Sequence, residues 1–420
     1  MREVLKEPNA TELSSLFQSI WQSPHSSFYR RKYERAGLNE RDLESAALED
    51  IPPLTRAELV ETNPDDRLFI KPEEVAFTAH TSGTTSGTPL LLYFSMPEKG
   101  DFEPALGYLA NRLLTVFPPY NKNLNFWFVY QCRNAKRRVT PVFAEYQNLA
   151  NSAVIAAKAN VDGIYATPTI ALALAEYIQK YYDPRRIKLL VIAAELCTQA
   201  SREHLQRLYP AAAIAHIYGS TEIATPSALP CAHIVQKETN LLHINDDIFI
   251  AAELLDGELV LTYDKNKAMP LVRYRTGDLF EIVDEHCLCG APTVRILGRK
   301  DMDSIRISGV EIQTNDVERA LGGLTEEIGH QYQLHFYEKM GGGRRKAHVV
   351  IEIVPPPGRM LGDAFGELII EHLLDAWRLS ATSTLRDAIS KELFEKPEIH
   401  FVPELSFKSE KVRRLVSHVL

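Results

Sequence analysis

Short apolar segments alternate with segments of helical spacing from Val75 onward, and this alternation is the feature that most limits the fold. The strand candidates are Leu90–Phe94, Lys188–Ala193 and Ala213–Tyr218, and the helix candidates are Tyr146–Ala159 and Ser201–Leu208. Strands and helices that take turns along a chain are typical of parallel sheets with crossover helices. The pattern therefore predicts an α/β fold.

The segments on either side of this alternation have different patterns. Helical spacing predicts N-terminal helices at Glu12–Trp21, Phe28–Ala36 and Arg56–Glu61. After Tyr218 the pattern predicts short strands at Asp247–Glu253, Glu258–Thr262 and Asp278–Val283.

A new mixed unit begins near Arg299–Asp303. Its predicted helices are Asn315–Leu321, Gly362–Trp377 and Thr384–Leu393; its predicted strands are His348–Ile353 and Glu398–Val402, and Gly341–Arg345 is a hairpin-like turn. A chain of 420 residues is too long for one core of the usual size. We therefore predict two domains, residues 1–300 and residues 301–420.

Charge and hydropathy exclude several classes of protein. A net charge of -8 and a pI near 5.9 argue against a nucleic-acid-binding protein that relies on phosphate contacts. No segment approaches the roughly 20 apolar residues that cross a bilayer, and Met1–Thr11 lacks the apolar core of a signal peptide. We expect a cytoplasmic protein without a membrane or nucleic-acid partner. The oligomeric state is left open, with a homodimer as one alternative.

The strongest local signal for chemistry is His80–Pro89, with the sequence HTSGTTSGTP. Its glycines let successive backbone amides converge on an anion, and its hydroxyls add donors for phosphate oxygens. It is not a Walker loop, because Gly-Lys-Thr is absent and no lysine follows it. Taken alone, the segment is also consistent with an ordinary polar turn.

Four further motifs follow this loop in order. They are Tyr218–Glu222 (YGSTE), Arg273–Asp278 (RYRTGD), Gly298–Asp301 (GRKD) and Lys408–Arg414 (KSEKVRR). The first offers an aromatic face and a carboxylate for a metal, and the second an aspartate for the hydroxyls of a ribose. Each also has an ordinary alternative, such as a capped strand end, an Arg–Asp surface pair or a solvated basic face.

Taken together, the five motifs resemble the adenylate-forming superfamily of acyl- and aryl-CoA ligases, adenylation domains and luciferases. The chain looks most like the phenylacetate–CoA ligase branch, from about Phe77 to Arg414. The resemblance implies a large N-terminal domain of helix-packed β-sheets and a small, mobile α+β C-terminal domain.

The same resemblance implies an activity. ATP would convert a carboxylic acid to an acyl-adenylate with release of pyrophosphate, and the acyl group would pass to a thiol. Coenzyme A and an aromatic acid are the expected pair, and the aromatic segment Phe126–Tyr130 supports an aromatic acid. Two alternatives stay open: a carrier protein or an amine as acceptor, and a non-catalytic nucleotide-binding descendant of the fold.

The resemblance also implies a role for each motif in binding ATP. The triphosphate would be held by Thr81, Ser82, Gly83, Thr84, Thr85, Gly87 and Thr88. Ala194 and Glu195 would line the adenine pocket, and the ring of Tyr218 would stack on the adenine. Gly219 and Ser220 would also bind ATP or AMP. Asp278 would bind the ribose hydroxyls with the help of Arg299.

Catalysis and domain motion are assigned in the same way. Thr221 would contact the α-phosphate, and Glu222 would ligate Mg²⁺. Asp301 matches the hinge between the domains. Lys411 matches the C-terminal lysine that reaches the carboxylate and the α-phosphate, with Lys408 as the alternative.

Three positions depart from the family pattern. Ser86 is an extra residue in the phosphate loop, so the register of that loop is open by one position. Leu90 stands where a lysine is common after the proline in the superfamily, although the phenylacetate branch also tends to lack that lysine. Glu410 stands where a glycine usually precedes the catalytic lysine.

Cysteine spacing raises a separate question of metal binding. Cys287 and Cys289 lie two residues apart, and two such thiolates can bind one metal ion. Cys231 with either His233 or His243 could complete a tetrahedral, structural zinc site, and several relatives in the branch carry such cysteines. The alternative is three unmetallated thiols in turns.

Overall fold

The computed structural model describes most of the chain. The described residues are 2–81, 90–96, 110–116, 139–145, 148–197, 199–223, 225–283, 287–299, 304–307, 310–341, 344–356, 358–380, 383–405 and 414–418. Several predicted features lie outside them: Ser82–Pro89, Phe126–Tyr130, Asp301, Lys408 and Lys411.

The secondary structure follows the predicted order of elements. The described helices are α1 (Ala10–Trp21), α2 (Phe28–Arg35), α3 (Glu40–Ser45), α4 (Arg56–Glu61), α5 (Leu149–Lys158), α6 (Pro168–Tyr181), α7 (Gln199–Leu208), α8 (Ala232–Gln236), α9 (Thr314–Leu321), α10 (Thr325–Ile328), α11 (Asp363–Ala376) and α12 (Leu385–Ser390). The described strands are β1 (Arg2–Lys6), β2 (Phe77–His80), β3 (Leu91–Phe94), β4 (Arg112–Val116), β5 (Thr140–Phe143), β6 (Gly163–Ala166), β7 (Leu189–Ile192), β8 (Ala213–His216), β9 (Ala228–Leu229), β10 (His243–Ile244), β11 (Ala251–Leu255), β12 (Glu258–Tyr263), β13 (Leu271–Val283), β14 (Thr293–Arg299), β15 (Ser304–Ile307), β16 (Val310–Gln313), β17 (Tyr332–Gly341), β18 (Arg344–Ile353), β19 (Arg378–Ser380), β20 (Ser383–Thr384), β21 (Glu398–Phe401) and β22 (Leu415–Ser417).

A parallel sheet with the strand order β5-β4-β6-β7-β8 forms one layer of the described fold. All four residues of β7 are buried, as expected for a parallel strand covered on both faces. Helices α5 and α6 contribute Ala153, Leu174 and Ile178 to the core beside this sheet. The alternating pattern therefore predicted the α/β fold class correctly.

An antiparallel sheet with the order β1-β11-β12-β13-β14 forms a second layer. The N-terminal helices pack on it, and Phe17, Tyr33 and Leu261 belong to the shared hydrophobic core. Two strands predicted here have different bounds in the structure. Residues near Asp247 form a turn, with the Ile248 amide donating to the Asn245 carbonyl over 3.2 Å, so the strand begins at Ala251.

The second strand, β13, contains all of the predicted Asp278–Val283 but is longer. It begins at Leu271, because the run of buried residues that contains Tyr274 pairs with β12. Asp278 consequently lies inside a strand, directly opposite Arg299 of β14.

The C-terminal part contains a mixed sheet with the order β21-β18-β17-β22. Strands β17 and β18 form a hairpin whose register runs from the pair Tyr332–Ile353 to the pair Gly341–Arg344, as the predicted turn requires. A hydrophobic cluster that includes Phe336, Ile351 and Trp377 packs against this sheet, and its buried members lie between Ile312 and Leu415. None of the helices in the described part of the chain combines the length and apolar character that a bilayer span requires.

Candidate active site

Two chain segments of the predicted site leave the parallel sheet at the same edge. Ala194 comes shortly after β7, and Tyr218 comes shortly after β8. Because β7 and β8 are parallel neighbours, these segments lie side by side at the carboxyl end of the sheet. In open α/β sheets this is the edge where ligands bind.

Tyr218 is a buried side chain that points towards the antiparallel sheet. Its hydroxyl donates to Asp278 Oδ2 over 2.5 Å, and its ring packs edge-on against Phe280 with 4.9 Å between centroids. Burial raises the pKa of Tyr218 well above its usual range, and the Asp278 charge adds to this rise. The phenol therefore stays protonated and keeps donating to the aspartate.

Asp278 is held from a second side by Arg299. Arg299 Nε lies 3.2 Å from Asp278 Oδ1, and the aspartate raises the pKa of the guanidinium further. Gly277 precedes the aspartate with φ +79°, and a Cβ there would lie 3.4 Å from Arg299 Nη2, so the chain needs glycine at this point. The strand pair thus presents an ionised carboxylate of fixed orientation, rather than the turn aspartate that was the alternative.

Glu222 is the second carboxylate of the site, and only 10% of its side chain is exposed. Its Oε1 atom accepts from the Tyr274 hydroxyl over 3.1 Å and from Arg56 Nη1 over 3.2 Å. Glu222 also raises the pKa of Arg299, although less than Asp278 does, so the two carboxylates lie in one electrostatic environment.

Arg56 connects this carboxylate to the base of the phosphate loop. Its Nη2 atom donates to the Thr81 hydroxyl over 2.7 Å, and the same hydroxyl accepts from the Leu90 amide over 3.0 Å. The Thr81 amide in turn donates to the Leu90 carbonyl over 3.0 Å. Thr81 and Leu90 are thus paired at the two ends of the segment that connects β2 and β3. We call this pair the neck of the phosphate loop.

One hydrogen-bonded group surrounds Glu222 and another surrounds Asp278, and because the two carboxylates share one electrostatic environment we call both groups together the carboxylate cluster. Its members are Arg56, Thr81, Tyr218, Glu222, Tyr274, Asp278 and Arg299. Sequence reasoning missed Arg56 and the role of Tyr274. Tyr274 lies within the RYRTGD motif and could have been found there, whereas nothing in the sequence around Arg56 separates it from a helix-opening surface residue.

The remaining predicted residues of the adenine pocket occupy the same sheet edge. Ala194 adopts φ +68°, a left-handed conformation that an alanine rarely takes and that often marks a functional segment. Burial raises the pKa of Glu195, whose Oε2 lies 3.4 Å from the Thr169 amide. The Ser220 hydroxyl is buried and has no hydrogen-bond partner within the described residues, so it can serve a ligand.

Thr221 lies in the turn between Tyr218 and Glu222 and is half-buried. The other phosphate-loop residues (Ser82, Gly83, Thr84, Thr85, Gly87 and Thr88), the hinge Asp301 and the lysines Lys408 and Lys411 lie outside the described residues. Their roles and the register of the loop at Ser86 therefore stay predictions.

A second group of chemically active side chains lies beyond the other end of the β13–β14 pair. The ligand atoms of Cys231, His243, Cys287 and Cys289 all lie within 4.8 Å of one another. The Cys231 and Cys287 sulfurs are 3.3 Å apart, and Cys289 Sγ is 3.2 Å from His243 Nε2. We call this group the cysteine–histidine cluster.

The hydrogen bond of His243 decides which of its nitrogens can bind a metal. Its Nδ1 donates to the Pro292 carbonyl over 2.6 Å, which leaves Nε2 free to ligate and fixes the ring, as second-shell partners of metal-bound histidines do. Three thiolates and one imidazole match the donor set and number of a closed tetrahedral zinc site. His243, rather than His233, belongs to this group.

No protein-family model matches the chain. In sequence it is similar to a phenylacetate–coenzyme A ligase of Thermus thermophilus, at 26% identity over 426 residues, which cover 93% of this chain and 92% of that protein. A phenylacetate–coenzyme A ligase of Escherichia coli is 25% identical over 329 residues, 73% of this chain and 74% of that protein.

The fold is similar to a crystal structure of 2-hydroxyisobutyryl–CoA ligase in the postadenylation state, in complex with R3-HIB-AMP. The TM-score is 0.75 at 17% identity, and the match covers 97% of this chain and 88% of that one. The chain therefore shares its architecture with that ligase.

Proposed function

We propose that the chain belongs to the adenylate-forming superfamily and, within it, to the phenylacetate–CoA ligase branch, and that it is an AMP-forming acid–thiol ligase. It would activate a carboxylic acid with ATP and transfer the acyl group to coenzyme A. The observation that carries the proposal is the carboxylate cluster, in which Arg56 links Glu222 to Thr81, and Tyr218 and Arg299 hold Asp278. Both carboxylates raise the pKa of Arg299, so they lie in one electrostatic environment.

The first half-reaction brings two anions together. One carboxylate oxygen forms a bond to the α-phosphorus, the bond from that phosphorus to the bridging oxygen of the β-phosphate breaks, and pyrophosphate leaves with the electron pair. When bound, Mg²⁺ would supply positive charge beside the phosphates, and Glu222 is the carboxylate suited to hold it. Thr221 would orient the α-phosphate, while Lys411 would neutralise the charge that builds in the transition state.

The nucleoside half of ATP has its own contacts in this proposal. Asp278 would accept hydrogen bonds from the ribose hydroxyls. Arg299 and Tyr218 would hold its carboxylate in place. Ala194, Glu195, Gly219, Ser220 and the Tyr218 ring would surround the adenine. Because Tyr218 is buried and bonded to Asp278, its position is set before the nucleotide arrives.

In the second half-reaction the thiol sulfur of coenzyme A, having lost its proton, bonds to the acyl carbon, and AMP leaves. We expect the lysine to be withdrawn for this step by rotation of residues 301–420 about Asp301. The separate hydrophobic cluster between Ile312 and Leu415 supports this division into domains. The postadenylation ligase similar in fold is a CoA ligase, which supports coenzyme A over a carrier protein or an amine as the acceptor.

The test of the proposal is ATP–pyrophosphate exchange over a panel of aryl, heteroaryl and aliphatic acids, followed by thioester formation with free coenzyme A. We expect exchange with at least one aromatic acid and a coenzyme A thioester of the same acid. Exchange without thioester would replace coenzyme A by another acceptor. Binding of ATP without exchange for any acid would favour the non-catalytic alternative.

The catalytic lysine has a direct test. Lys411→Ala should lower the exchange rate by about 10³-fold or more while the affinity for ATP stays similar, because the lysine acts on the transition state. Lys408→Ala is the matched control and should retain most of the rate. The opposite result for the two variants would transfer the role to Lys408.

The proposal includes a structural zinc ion in the cysteine–histidine cluster. The four ligand atoms, which lie within 4.8 Å of one another, support this proposal. The hydrogen bond from His243 Nδ1 to the Pro292 carbonyl also supports it, because it orients the ring with Nε2 towards the cysteines. Because all four positions are protein ligands, such an ion would stabilise the loop between β13 and β14 and leave no open position for substrate.

A further inference from the structure

The phosphate loop contains no positive charge of its own. The segment Thr81–Leu90 holds neither lysine nor arginine, and Leu90 stands where a lysine is common in the superfamily. The triphosphate of ATP carries about four negative charges, and amide and hydroxyl donors alone leave them unbalanced. The proposed Mg²⁺ would offset part of this charge and Lys411 would act at the α-phosphate, which leaves a role for a further cation beside the loop.

Arg56 is the cation that lies against the neck of this loop. Its guanidinium bridges the Thr81 hydroxyl at 2.7 Å and the Glu222 carboxylate at 3.2 Å. Its Nε atom is buried and has no hydrogen-bond partner in the described part of the chain, and 20% of its side chain is still exposed. The group is thus oriented by the fold and keeps donor capacity for a ligand.

The position of Arg56 also distinguishes the two halves of the nucleotide. Asp278 and Arg299 form the predicted ribose site. Asp278 is paired with Arg299 and accepts a hydrogen bond from the Tyr218 hydroxyl. Arg56 is on the side of Thr81 and Glu222, where the loop and the metal carboxylate meet.

We infer that Arg56 binds the β- and γ-phosphates of ATP and the pyrophosphate that leaves. In the nucleotide-free protein Arg56 pairs instead with Glu222. This inference rests on the proposed adenylation. A guanidinium can contact two phosphate oxygens at once, which suits it to this task. Exchange of Glu222 for phosphate would at the same time release that carboxylate for Mg²⁺.

The experiment compares two ligands by isothermal titration calorimetry at fixed Mg²⁺: AMP, and α,β-methylene-ATP, which cannot donate its adenylyl group because the methylene bridge between the α- and β-phosphorus does not break. The variants are Arg56→Gln, Arg56→Lys and, as a charge-matched control, Arg31→Gln, whose arginine lies on the surface beside Asp66. We expect Arg56→Gln to weaken the ATP analogue by about 10- to 100-fold and AMP by less than twofold. Arg56→Lys should recover part of the loss, and Arg31→Gln should leave both affinities unchanged.

The pyrophosphate concentration that gives half-maximal exchange is a second measurement, and it should rise in Arg56→Gln by the same factor. Equal weakening of AMP and the ATP analogue, or no weakening of either, would overturn the inference and leave Arg56 as a counterion of Glu222. A wild-type protein that binds neither ligand would overturn the proposed function itself, so the two failures are distinguishable.

Discussion

The strand pair β13–β14 serves two polar clusters, and they are built in opposite ways. At one end, each acidic group of the carboxylate cluster contacts a cation or a phenol of the protein, as Asp278 does with Arg299 and Tyr218. Beyond the other end, the four members of the cysteine–histidine cluster are all metal-ligating types that face one another.

This difference is what the proposed roles of the two clusters would require. A site that binds and releases a charged substrate must be stable when empty, so it carries its own counterions. A site for a permanent metal has no such need, because the ion satisfies the ligands and its binding contributes to folding. Substitutions of Asp278, His243 and His216 test this comparison, and their expected effects decrease in that order.

Substitution of Asp278 should weaken nucleotide binding and leave the cysteine–histidine cluster unchanged. In Asp278→Asn we expect the affinity for AMP to fall by about 30- to 100-fold, because charge-assisted hydrogen bonds to the ribose are lost. Calorimetry with AMP measures the loss, and metal analysis of the same sample should show unchanged zinc. An AMP affinity within a few-fold of the wild type would show that Asp278 is not the ribose ligand.

Substitution of His243 should have the reverse pattern. We expect His243→Gln to lose the bound zinc and to lower the melting temperature by roughly 5–10 °C, while the affinity for AMP is retained. His233→Gln is the matched control, since His233 is not in the cluster, and it should keep zinc and stability. Equal zinc contents in the two variants would contradict the assignment of His243.

The third prediction concerns acid and the strand that leads to Tyr218. Burial lowers the pKa of His216 to about 4, whereas in an unfolded chain it is about 6.5. As the pH falls from 6.5 towards 4, His216 becomes protonated in the unfolded chain but stays neutral in the folded protein. The free energy of unfolding therefore falls. We expect His216 to account for about 2 kcal/mol of this loss at pH 5.

Urea unfolding at pH 7, 6 and 5 measures that loss. His216→Gln should reduce the pH dependence without abolishing it, since burial also lowers the pKa of His330, to about 3. The reduction should be the same in zinc-loaded and zinc-stripped protein, because His216 belongs to the parallel sheet. A pH dependence unchanged by the substitution would show that His216 takes up its proton in the folded state.

The sequence could indicate where the motifs of the candidate site lie because each motif is local. Tyr218 and Glu222 lie four residues apart, and their order after an apolar strand is enough to indicate the carboxyl edge of a sheet. The alternation of strands and helices predicted the α/β class for the same reason: hydrogen bonds and side-chain periodicity act over a few residues. Longer elements such as β13 were predicted less well, because pairing with β12 decides where they begin.

The tertiary structure decided which distant residues meet. Arg56 and Glu222 are separated by 166 positions, and His243 and Cys289 by 46, so no local pattern links them. The choice between His233 and His243 was open in the sequence, and the pairing of β9 with β10 brought His243 to the cysteines. The sequence by itself determined the local chemistry of each motif, because composition and spacing act within a turn or a strand. Only the tertiary structure decided the partners and counterions, because these depend on the packing of strands and helices far apart in the chain.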